Sequence, residues 1–187
     1  NKKYFLKEPY KIIKFKPELN NEYLNYYNIF KNLINFPVKE NIKNEDDLKH
    51  LKVSKIGLYS ISYINLGLKF VDIIKSKFKS FNDLIITDAN GGNGGLCLHF
   101  IDKFKFTNII EINKFHSDII EHNLNVYGFN KNKYKVYNKD SLKYLFKLNQ
   151  DIIIFDPPWG GQNYMKNKNI SLGFNNINIA CIINKLI

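Results

Sequence analysis

The sequence predicts an α/β fold built on a parallel sheet, and three observations predict it. Apolar runs of strand length recur at 84–86, 108–112, 134–138 and 151–155, with stretches of helical period between the earlier ones. The first run enters a glycine-dense turn, Asp88-Ala89-Asn90-Gly91-Gly92-Asn93-Gly94-Gly95. The last enters Asp156-Pro157-Pro158-Trp159-Gly160-Gly161. Open α/β sheets bind their ligands at the carboxyl ends of the strands, where both motifs fall.

Taken in order, Glu22 to Phe36 carries Tyr23, Tyr26, Tyr27, Phe30, Leu33 and Ile34 at helical spacing and stops at Pro37. An aromatic stripe of this kind is more often core than a base-stacking platform. Asn41 to Asp47 is a charged loop, so residues 1–50 are expected to form an N-terminal helical cap or substrate-binding extension ahead of a sheet domain over 51–187. A second helix is expected over Tyr63–Phe78, amphipathic through Ile64, Leu68, Val71 and Ile74. The glycine turn should lead into an amphipathic helical stretch, Leu96 to Ile101. Asn108–Ile112 is the second strand, about 20 residues after the first, and Glu111 at its end is placed to take two ribose hydroxyls. Phe115 to Val126 has helical spacing, and Tyr134–Asn138 is a half-buried third strand leading to Asp140 and Ser141. Asp140 is placed to meet an adenine amino group.

The glycine turn lacks the third glycine of a dinucleotide fingerprint, Cys97 standing there, and no Gly-Lys-Ser/Thr follows to make a phosphate loop. What remains is the acidic, glycine-rich style of loop that cradles S-adenosylmethionine. The second motif carries a different chemistry. An exocyclic purine amine is a poor nucleophile because its lone pair is delocalised into the ring. The Asp156 carboxylate and the Pro157 carbonyl can accept both amine hydrogens and bring the nitrogen toward a tetrahedral shape. Proline fixes φ and holds these acceptors rigidly, and Trp159 offers a flat face for a base. Together the motifs read as a base-methylating site; a proline pair that merely ends a strand is the plainer alternative.

At this point the chain resembles a known family. Asp88-Ala89 with Gly92-x-Gly94-Gly95, His122-Asn123-Leu124-Asn125-Val126-Tyr127-Gly128, and Pro157-Pro158-Trp159-Gly160-Gly161 resemble the trimethylguanosine synthases, which methylate N2 of the 7-methylguanosine cap on small RNAs. Leu51-Lys52-Val53 and Gly57-Leu58-Tyr59-Ser60 resemble the segment that closes over cofactor and cap. The resemblance runs from about Leu51 to Tyr164. It implies a Rossmann-like class I methyltransferase sheet over 51–187, S-adenosyl-L-methionine as cofactor and 7-methylguanosine-capped RNA as partner. The residues it implies for the cofactor are Tyr59, Ser60, Asp88, Ala89, Gly92, Gly94, Glu111, Ile112, Asp140 and Ser141. For catalysis it implies Asp156, Pro157 and Trp159, and for substrate Lys52 at a cap phosphate, Asn123 beside the base and Trp159 stacked on it. Three positions depart from the family pattern: Asn90 stands in place of phenylalanine, Leu58 in place of an aromatic, and Asp156 in place of serine. An aspartate there is commoner in adenine-N6 enzymes, which keeps adenine N6 and uncapped guanine N2 open as acceptors. An inactive RNA-binding module of the same fold is the reading from another class.

The formal charge of +11 comes wholly from lysine, with no arginine in the chain. Asparagine, isoleucine, tyrosine and phenylalanine are abundant too, the signature of an AT-rich coding sequence, so the charge is weak support for a nucleic-acid partner. Phosphate would be met by lysine point charges, backbone and hydroxyls rather than a guanidinium fork. Cys97 and Cys181 have no metal or disulfide spacing, and His50, His99, His116 and His122 are scattered, so no metal is expected. No run reaches the roughly 20 apolar residues of a membrane span, and the N-terminal segment lacks the apolar block of a signal peptide. A monomer inside the cell, in cytoplasm or nucleus, is the expectation. A class I sheet has seven strands, and the sequence supplies four before Ile177–Ile187, one more helix or strand. The chain is therefore expected to be part of a longer protein, with its C-terminal strands missing.

Overall fold

The computed structural model describes residues 50–62, 64–157, 166, 172–174 and 177–186, with the backbone of 24–25. The chain divides into two compact units, the first lying within Glu18–Asp156 and the second including Pro157–Ile187.

The first unit opens with a two-residue antiparallel pair, β1 (Leu24–Asn25) against β2 (Lys52–Val53). This corrects the helix expected from Glu22 onward. Pairing with β2 fixes the backbone of Leu24–Asn25 as strand, and tertiary hydrogen bonding overrides a spacing that fits a helix; the rest of that stretch lies outside the described residues. Then come α1 (Gly57–Ser60) and α2 (Ile64–Lys77), whose buried line is Gly67, Val71 and Ile74. Leu68, expected on the buried side, is instead exposed.

The central sheet contains β3 (Ile85–Asp88), β4 (Phe106–Ile110), β5 (Tyr134–Tyr137) and β6 (Ile152–Ile154), all parallel, in the order β5-β4-β3-β6. β-Branched residues dominate β3, β4 and β6, as a buried parallel sheet favours. Ile86, Ile109 and Ile110 are fully buried, each worth roughly 1.5 to 3 kcal/mol. The order reverses direction between β3 and β6, and there a doubly wound sheet opens its ligand crevice. Asp151 secures the register by accepting the Ile85 N–H at 2.7 Å on its side chain while its own N–H donates to the Ile85 carbonyl at 2.9 Å.

After the glycine turn the chain makes only a single 3-10 turn at Cys97–His99. The expected amphipathic pattern is corrected: Leu96, Cys97, Leu98, His99, Phe100 and Ile101 are all buried. A segment enclosed on every side has no polar face to present, and its winding continues as isolated bonds such as Phe104 N–H to the Phe100 carbonyl.

Helix α3 (Lys114–Val126) is delimited at both ends. Asn113 caps it, its side chain accepting the Phe115 N–H at 2.9 Å. At the other end Gly128 takes a φ of 69°, the Gly128 N–H reaches the Asn125 carbonyl, and the Phe129 N–H reaches that of Leu124. This paired arrangement closes a helix with a left-handed residue after its cap. The Tyr127-Gly128 helix end thus has a structural cause, and it leaves Asn123 on the inner face. Past β5 a one-turn helix, α4 (Ser141–Tyr144), leads to β6.

The second unit holds the two-residue strands β7 (Gly173–Phe174) and β8 (Ile177–Asn178), paired antiparallel, and then α5 (Ile179–Leu186). The Asn178 side chain accepts the Ala180 N–H at 2.8 Å and starts that helix. The segment expected as one more helix or strand contains both.

Candidate functional site

Three carboxylates gather at the carboxyl ends of β3, β4 and β6. Asp88 ends β3, and its Oδ1 accepts the Asn90 N–H at 3.2 Å. Its Oδ2 is buried with no hydrogen-bond partner among the described residues. Burial raises the Asp88 carboxyl from 3.8 to about 7; the Asn90 N–H opposes the rise, and the charges of Asp156 and Glu111 add to it. A buried acceptor aimed at no described residue suits a cation supplied from outside.

Glu111 follows β4. Its Oε2 accepts the Gly92 N–H at 2.8 Å and its Oε1 the Asn113 N–H at 2.7 Å, so it ties the glycine turn to the cap of α3. Burial raises its pKa, against the lowering effects of the Asn113 N–H, His116 and the Gly92 N–H. Each oxygen keeps lone-pair capacity for a further donor. Ile112 beside it is 64% exposed, an apolar side chain left open at the sheet's binding edge. Asn138 pins this turn, its Nδ2 donating to the carbonyls of Glu111 at 3.0 Å and Ile112 at 2.9 Å.

The glycine turn works through backbone conformation and clearance. Gly92 and Gly94 have φ of 54° and 93°, the left-handed region that side chains disfavour. Among the described residues a Cβ on Gly92 would meet nothing nearer than 3.8 Å, so they leave the space above it open. At Gly91 a Cβ would come within 2.8 Å of Ile109 and Ile120, and at Gly95 within 2.7 Å of Ile61. Those two glycines serve packing. Ala89 is fully buried, and its carbonyl accepts the Ser141 hydroxyl. Asp140 caps α4 by accepting the Leu142 N–H at 3.0 Å.

Beyond the end of β6, Asp156 receives a hydrogen bond from the Ser62 hydroxyl at 3.4 Å. Pro157 is buried; Trp159 lies outside the described residues, as does the side chain of Tyr59. Ser60 is exposed on α1. Lys52 is half-buried, and Asn123 is buried with both ends of its amide on the Lys52 backbone: Oδ1 accepts the Lys52 N–H at 2.9 Å and Nδ2 donates to the Lys52 carbonyl at 2.8 Å. Among the described residues no cluster of three metal-ligating side chains occurs, and no helix is long and apolar enough to cross a membrane.

Sequence reasoning passed over Asn93, Ser54 and Asn138. Each is a small polar residue whose importance comes from a distant backbone partner, and local pattern carries no sign of one.

Strand order, glycine turn and acidic strand ends define a Rossmann-like class I methyltransferase fold. Residues 83–187 match the model of the RNA cap guanine-N2 methyltransferase family, and the chain belongs to that family. An uncharacterized protein of Acanthamoeba polyphaga mimivirus is 33% identical over 117 residues, which is 61% of this chain and 45% of that protein. The chain thus spans about half the length of this relative. Similar solved structures include a dimethyladenosine transferase from Plasmodium falciparum, at 21% identity and TM-score 0.41 over 48% of this chain and 32% of that one. An rRNA methylase from Streptococcus thermophilus matches at 15% identity and TM-score 0.37, over 41% and 46%.

Family and fold imply S-adenosylmethionine as methyl donor, and the residues present fit it. The open space over Gly92, the unsatisfied Asp88 oxygen and the exposed Ile112 accommodate a molecule with two cationic centres and an adenine ring.

Proposed function

We propose that this chain carries the catalytic region of an enzyme that methylates the exocyclic N2 of the 7-methylguanosine cap on RNA. The reading rests on one observation above others. The parallel pairing of β3 with β6, Asp88 opposite Ile154, brings the glycine turn and the start of the Asp156-Pro157-Pro158-Trp159 motif to adjacent strand ends at the sheet's switch point. Cofactor and amine acceptor are then neighbours.

In this reading Gly92 and Gly94 let the backbone approach the cofactor, Asp88 faces its positive charge, Glu111 takes the ribose hydroxyls, Ile112 covers the adenine face and Asp140 meets the adenine amine. When bound, S-adenosylmethionine supplies an electrophilic methyl group. Asp156 and the Pro157 carbonyl would accept the two hydrogens of the guanine amine and so free its lone pair for attack. As the N–C bond forms and the S–C bond breaks to leave S-adenosylhomocysteine as a neutral thioether, Asp156 would take the proton that the methylated amine must lose. The Ser62 hydroxyl holds the carboxylate in place. Catalysis is mostly by proximity and orientation. Trp159 stacks on the cationic methylated ring, an interaction worth about 1 to 2 kcal/mol when desolvated, and Lys52 meets a cap phosphate.

Asp156 in place of serine favours a second acceptor, adenine N6. Labelled-methyl transfer to capped RNA, uncapped RNA and an adenine-rich oligonucleotide, run side by side, separates the two. Label confined to capped RNA is the expected result. Label on adenine, or equal labelling of capped and uncapped RNA, overturns the cap assignment.

A further inference from the structure

Residues 51–62 form a strap that is fastened along its length by side chains from three other parts of the first unit. Lys52 in β2 and Ser54 just past its end present their amides on the same edge, as residues two apart in extended chain do. Asn123 from α3 takes the Lys52 N–H and carbonyl. Asn93 takes the next rung, its Oδ1 accepting the Ser54 N–H at 2.7 Å and its Nδ2 donating to the Ser54 hydroxyl oxygen at 3.1 Å. That hydroxyl oxygen also accepts the Gly57 N–H at 2.9 Å and so starts α1. Two buried carboxamides thus stand in for a neighbouring strand.

Their surroundings differ in one respect. Asn123 sits in a regular helix, whereas Asn93 stands between the two left-handed glycines, Gly92 and Gly94. Its side chain cannot stay on Ser54 unless the glycine turn keeps its conformation. The fit there is close: a Cβ on Gly57 would lie 2.6 Å from Asn93 Oδ1, and one on Gly95 3.1 Å from the Ser62 N. At its far end the strap reaches the acceptor motif through Ser62 and Asp156.

We propose that Asn93 is a positioning residue that couples the glycine turn to the strap, so that a cofactor-type ligand on the turn fixes Ser54 and α1 for the acceptor. The inference rests on the function proposed above and adds a residue that its catalytic and binding assignments do not include. Asn93 touches no reacting atom in it. The turn at Gly92–Gly94 is held from within by the Gly94 N–H on the Gly91 carbonyl at 2.8 Å and from outside by the Glu111 carboxylate and the Asn93 amide, so a ligand that further immobilises the turn also immobilises the rung at Ser54. The Lys52 rung, fastened to α3, lies outside that coupling.

The test is hydrogen exchange of single amides by NMR on the full chain, with and without S-adenosylhomocysteine. The amides of Ser54 and Lys52 are themselves the donors in the two rungs, and that of Gly92 reports the turn. Ligand should slow Gly92 and Ser54 together. In Asn93→Ala the Ser54 amide should exchange about tenfold faster or more without ligand and lose its response to ligand, while Lys52 keeps its protection. Asn123→Ala should do the reverse, exposing Lys52 and leaving the ligand response of Ser54 intact. A Ser54 response unchanged in Asn93→Ala overturns the coupling, and so does equal loss of protection at both rungs, which would mark general loosening. If ligand fails to slow Gly92 in the unaltered protein, the methyltransferase reading falls and the coupling falls with it. A normal Gly92 response with Ser54 unmoved overturns the coupling alone.

Discussion

Asp88→Asn should make the protein more stable at high pH than the parent, and the amount follows from burial. Asp88 is buried, one oxygen bonds the Asn90 N–H, the other bonds nothing among the described residues, and its carboxyl is raised from 3.8 to about 7. An acid whose folded pKa lies above its unfolded value holds its proton longer when folded. The stability it contributes is full below 3.8, falls as pH rises, and levels off above about 7. Between about pH 5 and about pH 9 the parent crosses two units of that window, a loss of about 3 kcal/mol at 1.36 kcal/mol per unit. Asparagine keeps the shape and has no charge to desolvate, so it removes this slope. His99 contributes a slope of opposite sign, since burial lowers its pKa from 6.5 to about 4, but that contribution is common to both proteins and cancels in the comparison. The assay is urea denaturation of both proteins at the two pH values. The difference between them should change by about 3 kcal/mol, while the variant binds S-adenosylhomocysteine more weakly, a stability gain against function. Parallel pH dependence, within about 1 kcal/mol, would refute the claim that Asp88 is held in a charge-excluding site.

Two further outcomes follow from the same geometry. Glu111→Ala should weaken S-adenosylhomocysteine by about 1 to 3 kcal/mol in calorimetric titration, through unpaired ribose hydroxyls and a loosened Gly92 turn, and unchanged affinity would remove Glu111 from the site. Gly67→Ala should cost about 1 to 3 kcal/mol in urea denaturation, because its Cβ would fall 2.1 Å from the His99 ring, and adding His99→Ala should recover part of that loss; additive losses would refute the contact.

The strands of the sheet were legible because their apolar runs are short, β-branched and bounded by turn residues. Observed Ile85–Asp88, Phe106–Ile110, Tyr134–Tyr137 and Ile152–Ile154 fall within two residues of the expected limits. The expected helix over Phe115–Val126 starts one residue earlier, at Lys114. Where period misled, burial was the cause. Leu96–Ile101 alternates like a helix face, yet its residues are enclosed on all sides, and Leu24–Asn25 is held by pairing with residues more than 25 positions away. At the candidate site, Asp88 and Glu111 stand out in the sequence by type and strand-end position, and Asn123 through the family resemblance. Asn93 does not, since an asparagine clamped on a distant backbone is indistinguishable by type from one in solvent.

The strand order explains why motifs nearly 70 residues apart can form one site. A chain that lays its second and third strands to one side of the first, and its fourth to the other, leaves a crevice beside the first strand's end. Asp88 stands at that end and Asp156 just beyond the end of β6, so the Asp156 charge raises the cost of ionising Asp88. Apolar residues at these positions would make a more stable sheet. The cost falls when a cation occupies the crevice, because it lowers the energy of the ionised Asp88 and satisfies the orphaned oxygen. That cost is one a cationic ligand beside Asp88 would relieve.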